Sequence, residues 1–257
     1  MNYYIAAHTD AGIKKETNQD SYCILQAETQ KGNLLMAVVC DGMGGLASGE
    51  VASAAIVRAF RAWFYQDLPG LLPSPTCYDD VKYAWDRIIK TQNQDIAAYG
   101  RQHHFQLGST ATALIIFEDG NYLIAHVGDS RAYRVDNQTV SVLTTDQTLV
   151  AYEERIGKLT PEQALRDPRR NVLLQCIGAS RTVEPEYFTG LAEPGTCYML
   201  CSDGFRHELS PAEIQNAFAP IANSNETQMK NNLVRLVELN KSRGETDNIT
   251  ALLIRTY

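Results

Sequence analysis

The sequence predicts an α+β layer fold in which stacked antiparallel sheets are covered by helices. Three observations carry this reading. Apolar runs of strand length recur along the chain, many neighbouring runs are joined by short polar turns, and helical segments cluster between groups of strands instead of alternating with them. Short turns imply antiparallel neighbours, because parallel strands need a crossover of a dozen or more residues.

The strand-length runs lie at residues 3–7, 21–27, 34–40, 110–117, 122–127, 132–135, 140–143, 186–188, 197–201 and 249–254. Glu118-Asp119-Gly120-Asn121 and Asp136-Asn137-Gln138 read as hairpin turns between them. Helical periodicity runs through residues 51–65, 78–99 and 228–241, with Gly244 placed where a helix stop is expected. Two shorter helices begin at Thr160-Pro161-Glu162-Gln163 and Ser210-Pro211-Ala212-Glu213. Each has a capping hydroxyl, proline at the first helical position and Gln or Glu three residues after the cap.

A chain of 257 residues with 44% apolar and 21% charged residues can bury one sizeable core, so a single domain over residues 1–257 is expected. No apolar run reaches the roughly 20 residues of a membrane span, and Met1-Asn2-Tyr3-Tyr4 lacks a signal peptide's basic start. The expectation is a cytoplasmic protein without membrane association. A net charge of −7 argues against nonspecific nucleic-acid binding, which needs a basic surface to displace counterions. Cys23, Cys40, Cys77, Cys176, Cys197 and Cys201 form no C-x-x-C pair and read as buried thiols.

The acids are informative by position. Asp20 precedes the run at 21–27 and Asp41 follows the run at 34–40, so an antiparallel pairing of the two brings both carboxylates to one sheet edge. Asp203 and Asp247 stand in the same relation to the runs at 197–201 and 249–254, and Asp129 lies just past 122–127. Any one of these aspartates is better read as a turn former or helix cap, as Asp119 is. Five at strand ends, if gathered at one rim, repel one another unless cations neutralise them, and oxygen ligands suit magnesium, manganese or calcium over zinc. The glycines after Asp41 permit a tight turn that can present a backbone carbonyl as a further ligand. They are not a phosphate-binding Walker loop, since no Gly-Lys-Ser/Thr follows.

Six segments in order give these residues a context: Thr9-Asp10-Ala11-Gly12 to Asn18-Gln19-Asp20, Asp41-Gly42-Met43-Gly44-Gly45 with Gly49-Glu50, Gly108-Ser109-Thr110, Gly128-Asp129-Ser130-Arg131, Ser202-Asp203-Gly204 and Asp247-Asn248-Ile249-Thr250. Together they resemble the bacterial branch of the type 2C metal-dependent protein serine/threonine phosphatases. The resemblance implies a four-layer sandwich of two central antiparallel sheets flanked by helices. It implies two manganese or magnesium ions, with a third in bacterial members, and hydrolysis of phosphoserine and phosphothreonine by a metal-activated water. By motif position Asp41 would bridge two metals, Asp203 and Asp247 would complete the first site, and the Gly42 carbonyl would serve the second. Asp20 would orient the attacking water, and Asp129 with Asp203 would hold the third ion. Residues 146–178 resemble the family's flap beside the active site. The implied partners are phosphoproteins, the substrates of a serine/threonine kinase.

Departures from the pattern are specific. Lys15 stands where an arginine usually holds the substrate phosphate, keeping the charge without the bidentate fork. Gln19 replaces an acidic residue, and Met43 and Leu46 stand where some relatives carry a histidine. His207 is read as a surface-loop histidine, with proton donation as the alternative; His126 is expected to pack within its strand, His103 and His104 to face solvent, and His8 has no assigned role. Arg131 is a candidate to pair with an acid and Ser130 to shape its turn. No cysteine sits in a C-x5-R arrangement, which argues against a cysteine-dependent phosphatase. Two alternatives are a catalytically silent binding module and a hydrolase of small phosphoesters. Retention of Asp41, Asp203 and Asp247 argues against the first.

Overall fold

The computed structural model describes residues 1–44, 48–75 and 77–257. Gly45 and Leu46 of the glycine turn lie outside the described residues. One antiparallel sheet runs in the order β1 (Tyr3–Asp10), β12 (Ile249–Thr256), β11 (Cys197–Cys201), β8 (Arg131–Val135), β9 (Val140–Val142). A second runs β10 (Glu186–Leu191), β7 (Asn121–Val127), β6 (Ala111–Ile116), β3 (Gly32–Cys40), β2 (Ser21–Thr29). Two three-residue strands, β4 (Gly42–Gly44) and β5 (Leu107–Ser109), pair beside the second sheet's edge.

Residue alternation explains the layering. In β3, Leu34, Met36, Val38 and Cys40 face the helices α1 (Gly49–Gln66) and α3 (Cys77–His103), while Leu35, Ala37 and Val39 face the other sheet. In β12, Ile249, Ala251 and Leu253 face α7 (Pro211–Phe218) and α8 (Glu226–Ser242), while Leu252 and Ile254 point inward. The result is the predicted α+β sandwich, helix–sheet–sheet–helix. Strands buried on both faces read as continuous apolar runs, which is why β3 and β12 stand out in the sequence. The α1 face spaced at Ala52, Ile56, Phe60 and Trp63 is buried, and Trp85 of α3 meets Phe60 and Trp63 edge-on at 5.3 and 5.7 Å.

Caps behave as predicted: Thr160 and Ser210 each close a capping box, at α5 (Pro161–Arg166) and α7. The remaining helices are α2 (Leu68–Leu71), α4 (Leu149–Arg155) and α6 (Asp203–Arg206). Residues 146–178 leave the sandwich and return to it. The Leu149 N–H donates to Val172 O and the Leu174 N–H to Gln147 O, while Ser109 and Ile177 exchange a pair of backbone bonds. The excursion carries α4 and α5 and is stitched at its base to β5.

Two expectations are corrected. The run at 110–117 is shortened to β6, with residues 107–109 forming a separate strand that pairs with the glycine turn. Five of the six cysteines are buried free thiols, but Cys77, at the start of α3, is only half-buried.

Candidate active site

Register places the acids. β2 and β3 pair with Ser21 opposite Cys40, so Asp20 and Asp41 leave the same edge of the second sheet. On that edge β6 begins and β7 ends, with Ala111 opposite Val127, which brings Asp129 alongside. In the first sheet β11 ends and β12 begins together, Cys201 opposite Ala251, so Asp203 and Asp247 reach the rim from the other layer. All five predicted aspartates thus meet where the two sheets open.

Each is held by a local device. The Asp41 N–H donates to Thr110 Oγ1 at 2.9 Å, and its carbonyl accepts from the Thr110 N–H and from Ser109 Oγ, both at 2.9 Å. Thr110 Oγ1 in turn lies 2.8 Å from Ser130 Oγ, which ties the segment after Asp129 to the start of β6. Ser202 Oγ donates to Asp20 Oδ2 at 2.8 Å and accepts from the Thr250 N–H at 3.1 Å. Asn248 ties the first motif to the last: its Oδ1 accepts from the Gln19 N–H at 2.9 Å, and its Nδ2 donates to Ala11 O and Thr17 O at 3.0 and 3.1 Å. Gly42 is obligatory, because a Cβ there would lie 2.3 Å from Gly49 O and 2.4 Å from Gln19 O.

The electrostatics are those of uncompensated negative charge. Burial raises the Asp41 carboxyl well above its ordinary range, and the charges of Asp20, Asp203, Asp129 and Asp247 push it the same way. Burial pushes Asp20 up to about 7, with Asp203 and Asp247 adding to it. Asp129 is also pushed up to about 7, by burial and then by Asp203, with Arg206 opposing the rise. Asp20 Oδ1 and Asp203 Oδ1 are buried with no hydrogen-bond partner among the described residues. Orphaned carboxylate oxygens beside mutually repelling charges fit hard divalent cations. Among the described residues no three acid, histidine or cysteine side chains already form a ready-made ligand cage.

These shifts fix a stability profile. A carboxyl whose folded pKa is raised binds more protons folded than unfolded, so stability falls as pH rises from the unfolded value near 3.8 through the folded value. His126, pushed down to about 4 by burial, acts in the opposite sense between pH 4 and 6.5. The raised carboxyls outnumber this histidine, so a net decline is expected between about pH 5 and 7 in chelator, and manganese should flatten it. Each kcal/mol lost corresponds to a melting point lower by about 2–4 °C. A chelated protein that melts at the same temperature at both pH values would contradict the clustering.

Lys15 lies at the rim, its Nζ 3.1 Å from Asp247 Oδ1, with both side chains partly exposed. His207 is not the surface-loop histidine expected. It follows α6 and is largely buried, Nε2 3.6 Å from Asp203 Oδ2 and Nδ1 3.4 Å from Glu245 Oε2. Glu245 also accepts the N–H groups of Thr246 and Asp247, at 2.7 and 2.8 Å, and so orders the turn presenting Asp247. His126 packs as expected, hydrogen-bonded to Thr112 Oγ1, and His103 and His104 are exposed.

Sequence reasoning found Arg131 as an ion-pair candidate but missed its setting. Arg131 clamps Asp146 through Nε and Nη2, both at 2.7 Å, and Arg206 Nη2 reaches the same carboxylate at 3.1 Å. A cavity of about 420 Å³ borders this network and the 146–178 excursion, sharing Arg206 and His207 with the rim and none of the five aspartates. Glu245 and Arg206 carry no pattern that separates them from ordinary surface charges; only the fold makes them inward-facing.

Known proteins place this architecture. The family model described as protein phosphatase 2C matches residues 9–238. A putative protein phosphatase 2C-type protein of Streptococcus pyogenes is 31% identical over 97% of this chain and 96% of its own length. The serine/threonine phosphatase stp of Listeria monocytogenes is 31% identical over 96% and 93%. Among solved structures, the S. agalactiae serine/threonine phosphatase superposes with a TM-score of 0.85 at 31% identity, covering 100% of both chains. The catalytic domain of the phosphatase PstP, solved in complex with 2 manganese ions, gives 0.79 at 27% identity over 98% of this chain and 97% of its own. No helix among the described residues is long and apolar enough to cross a membrane. The chain belongs to the protein phosphatase 2C family, the metal-dependent serine/threonine phosphatases.

Proposed function

We propose that this chain dephosphorylates phosphoserine and phosphothreonine in substrates of a serine/threonine kinase, in the cytoplasm, using manganese or magnesium held at the aspartate rim. The single observation that supports the site assignment is the convergence of Asp20, Asp41, Asp129, Asp203 and Asp247 from both sheets, with buried, unpartnered oxygens on Asp20 and Asp203. In this reading Asp41, Asp203, Asp247 and the Gly42 carbonyl would hold the cations, with Asp41 common to both sites. Bound there, the cations would supply charge neutralisation at the phosphoryl oxygens and a nucleophile at neutral pH. Asp20, oriented by Ser202, would position the attacking water by hydrogen bonding.

Residues 1–257 would act as one phosphatase domain, with the 146–178 excursion as its flap. Neither nucleic acid nor membrane is a partner in this reading, given the acidic balance and the lack of a spanning helix among the described residues.

Lys15 would attract the substrate phosphate as a point charge, released from Asp247 when that carboxylate takes up a cation. The test is steady-state kinetics at saturating manganese on a phosphothreonine peptide and on a small metabolite phosphoester. The wild type should strongly favour the peptide. Lys15→Ala should lose on the order of 1–3 kcal/mol in kcat/KM, and Lys15→Arg should retain or improve it. Preference for the metabolite would overturn the substrate class, and a Lys15→Ala enzyme matching wild type would remove Lys15 from the site.

A further inference from the structure

Asp129 differs from the other rim aspartates in having a fixed cation beside it. Arg206, at the end of the short helix that begins with Asp203, places Nη2 3.0 Å from the Asp129 carbonyl and 3.9 Å from Asp129 Oδ2. Its side chain is 12% exposed, and the same nitrogen is anchored to Asp146 Oδ2 at 3.1 Å. The helix is held in turn by Asn240 Nδ2, which donates to Phe205 O at 2.7 Å. Arg206 therefore cannot swing aside without breaking its bond to Asp146.

We propose that Arg206 is the built-in counter-charge of Asp129, standing in for a third cation, so that the rim of this chain binds two divalent ions. A cation on Asp129 would have to sit about 2.0–2.6 Å from a carboxylate oxygen. It would then face a guanidinium that does not deprotonate, in surroundings of low dielectric. The residues present do not fit a third ion.

Charge balance leads to the same number. Arg131 matches Asp146 through two hydrogen bonds, which leaves the charge of Arg206 for Asp129. With Lys15 released from Asp247 to the substrate phosphate, Asp20, Asp41, Asp203 and Asp247 remain, four carboxylates whose formal charge two divalent ions cancel. The inference rests on the proposed reading of the rim as a metal site.

The test counts ions without using activity. Free manganese is titrated by its electron paramagnetic resonance signal against wild type, Arg206→Gln, Arg206→Lys and Asp129→Asn. Two ions per chain are expected for wild type, Arg206→Lys and Asp129→Asn alike, and three for Arg206→Gln. Three ions on wild type would overturn the proposal, as would two on a folded Arg206→Gln. If Arg206→Gln does not fold, Asp129→Asn decides: loss of one ion relative to wild type contradicts the proposal, and an unchanged count supports it. No bound manganese on wild type would instead sink the metal-site reading itself.

Discussion

Asp41→Asn is expected to lower phosphopeptide turnover by roughly a thousandfold or more, about 4 kcal/mol in the barrier, while the protein stays folded. The substitution removes the carboxylate proposed to be shared by both cations but leaves the backbone bonds to Thr110 and Ser109 in place. Its effect on stability should have the opposite sign. Burial and four neighbouring carboxylates disfavour the charged form of Asp41, so a neutral amide should raise the melting temperature measured in chelator. It should also blunt the stabilisation that manganese gives by binding the native state. Circular dichroism, melting curves with and without manganese, and initial rates on one peptide check all three. A variant with wild-type turnover would show that the assignment of Asp41 is wrong.

Asp146→Ala should produce the largest loss of stability. Asp146 is held below the usual carboxylate range, although burial opposes this, by the hydrogen bonds from Arg131 and the charge of Arg206. Removing it leaves two largely buried guanidinium groups without their shared acceptor, a change that costs about 3–5 kcal/mol. For a chain of this size the melting point should fall on the order of 10 °C. A shift within 2 °C of zero would mean that water or another acid compensates both arginines.

The parts of the fold legible in the sequence are those where local chemistry and tertiary demand agree. The β2–β3 pairing was legible as a condition on the apolar runs at 21–27 and 34–40, and its register alone brings Asp20 to Asp41. The α5 and α7 starts were readable because cap, proline and Gln or Glu stand at fixed offsets. The strands β4 and β5 were not, since three residues rich in glycine have no periodicity and exist only through their mutual pairing. α4 was missed because its seven residues follow a threonine cap with no proline or capping box to mark it. At the site, the five aspartates were legible through repetition of one pattern at strand ends. His207 was misread because its burial depends on the four-residue helical offset that sets it over Asp203 and on Glu245 in a loop before the C-terminal strand. The contact of Arg206 required knowing that residue 129, in the link between the two sheets, lies against α6.

The most direct test of the central claim is phosphate release from a phosphothreonine peptide by the purified chain, measured in manganese and again after rigorous chelation. Release should require the added metal, vanish in chelator and return when manganese is restored. Full activity after chelation would contradict a metal centre built from these aspartates.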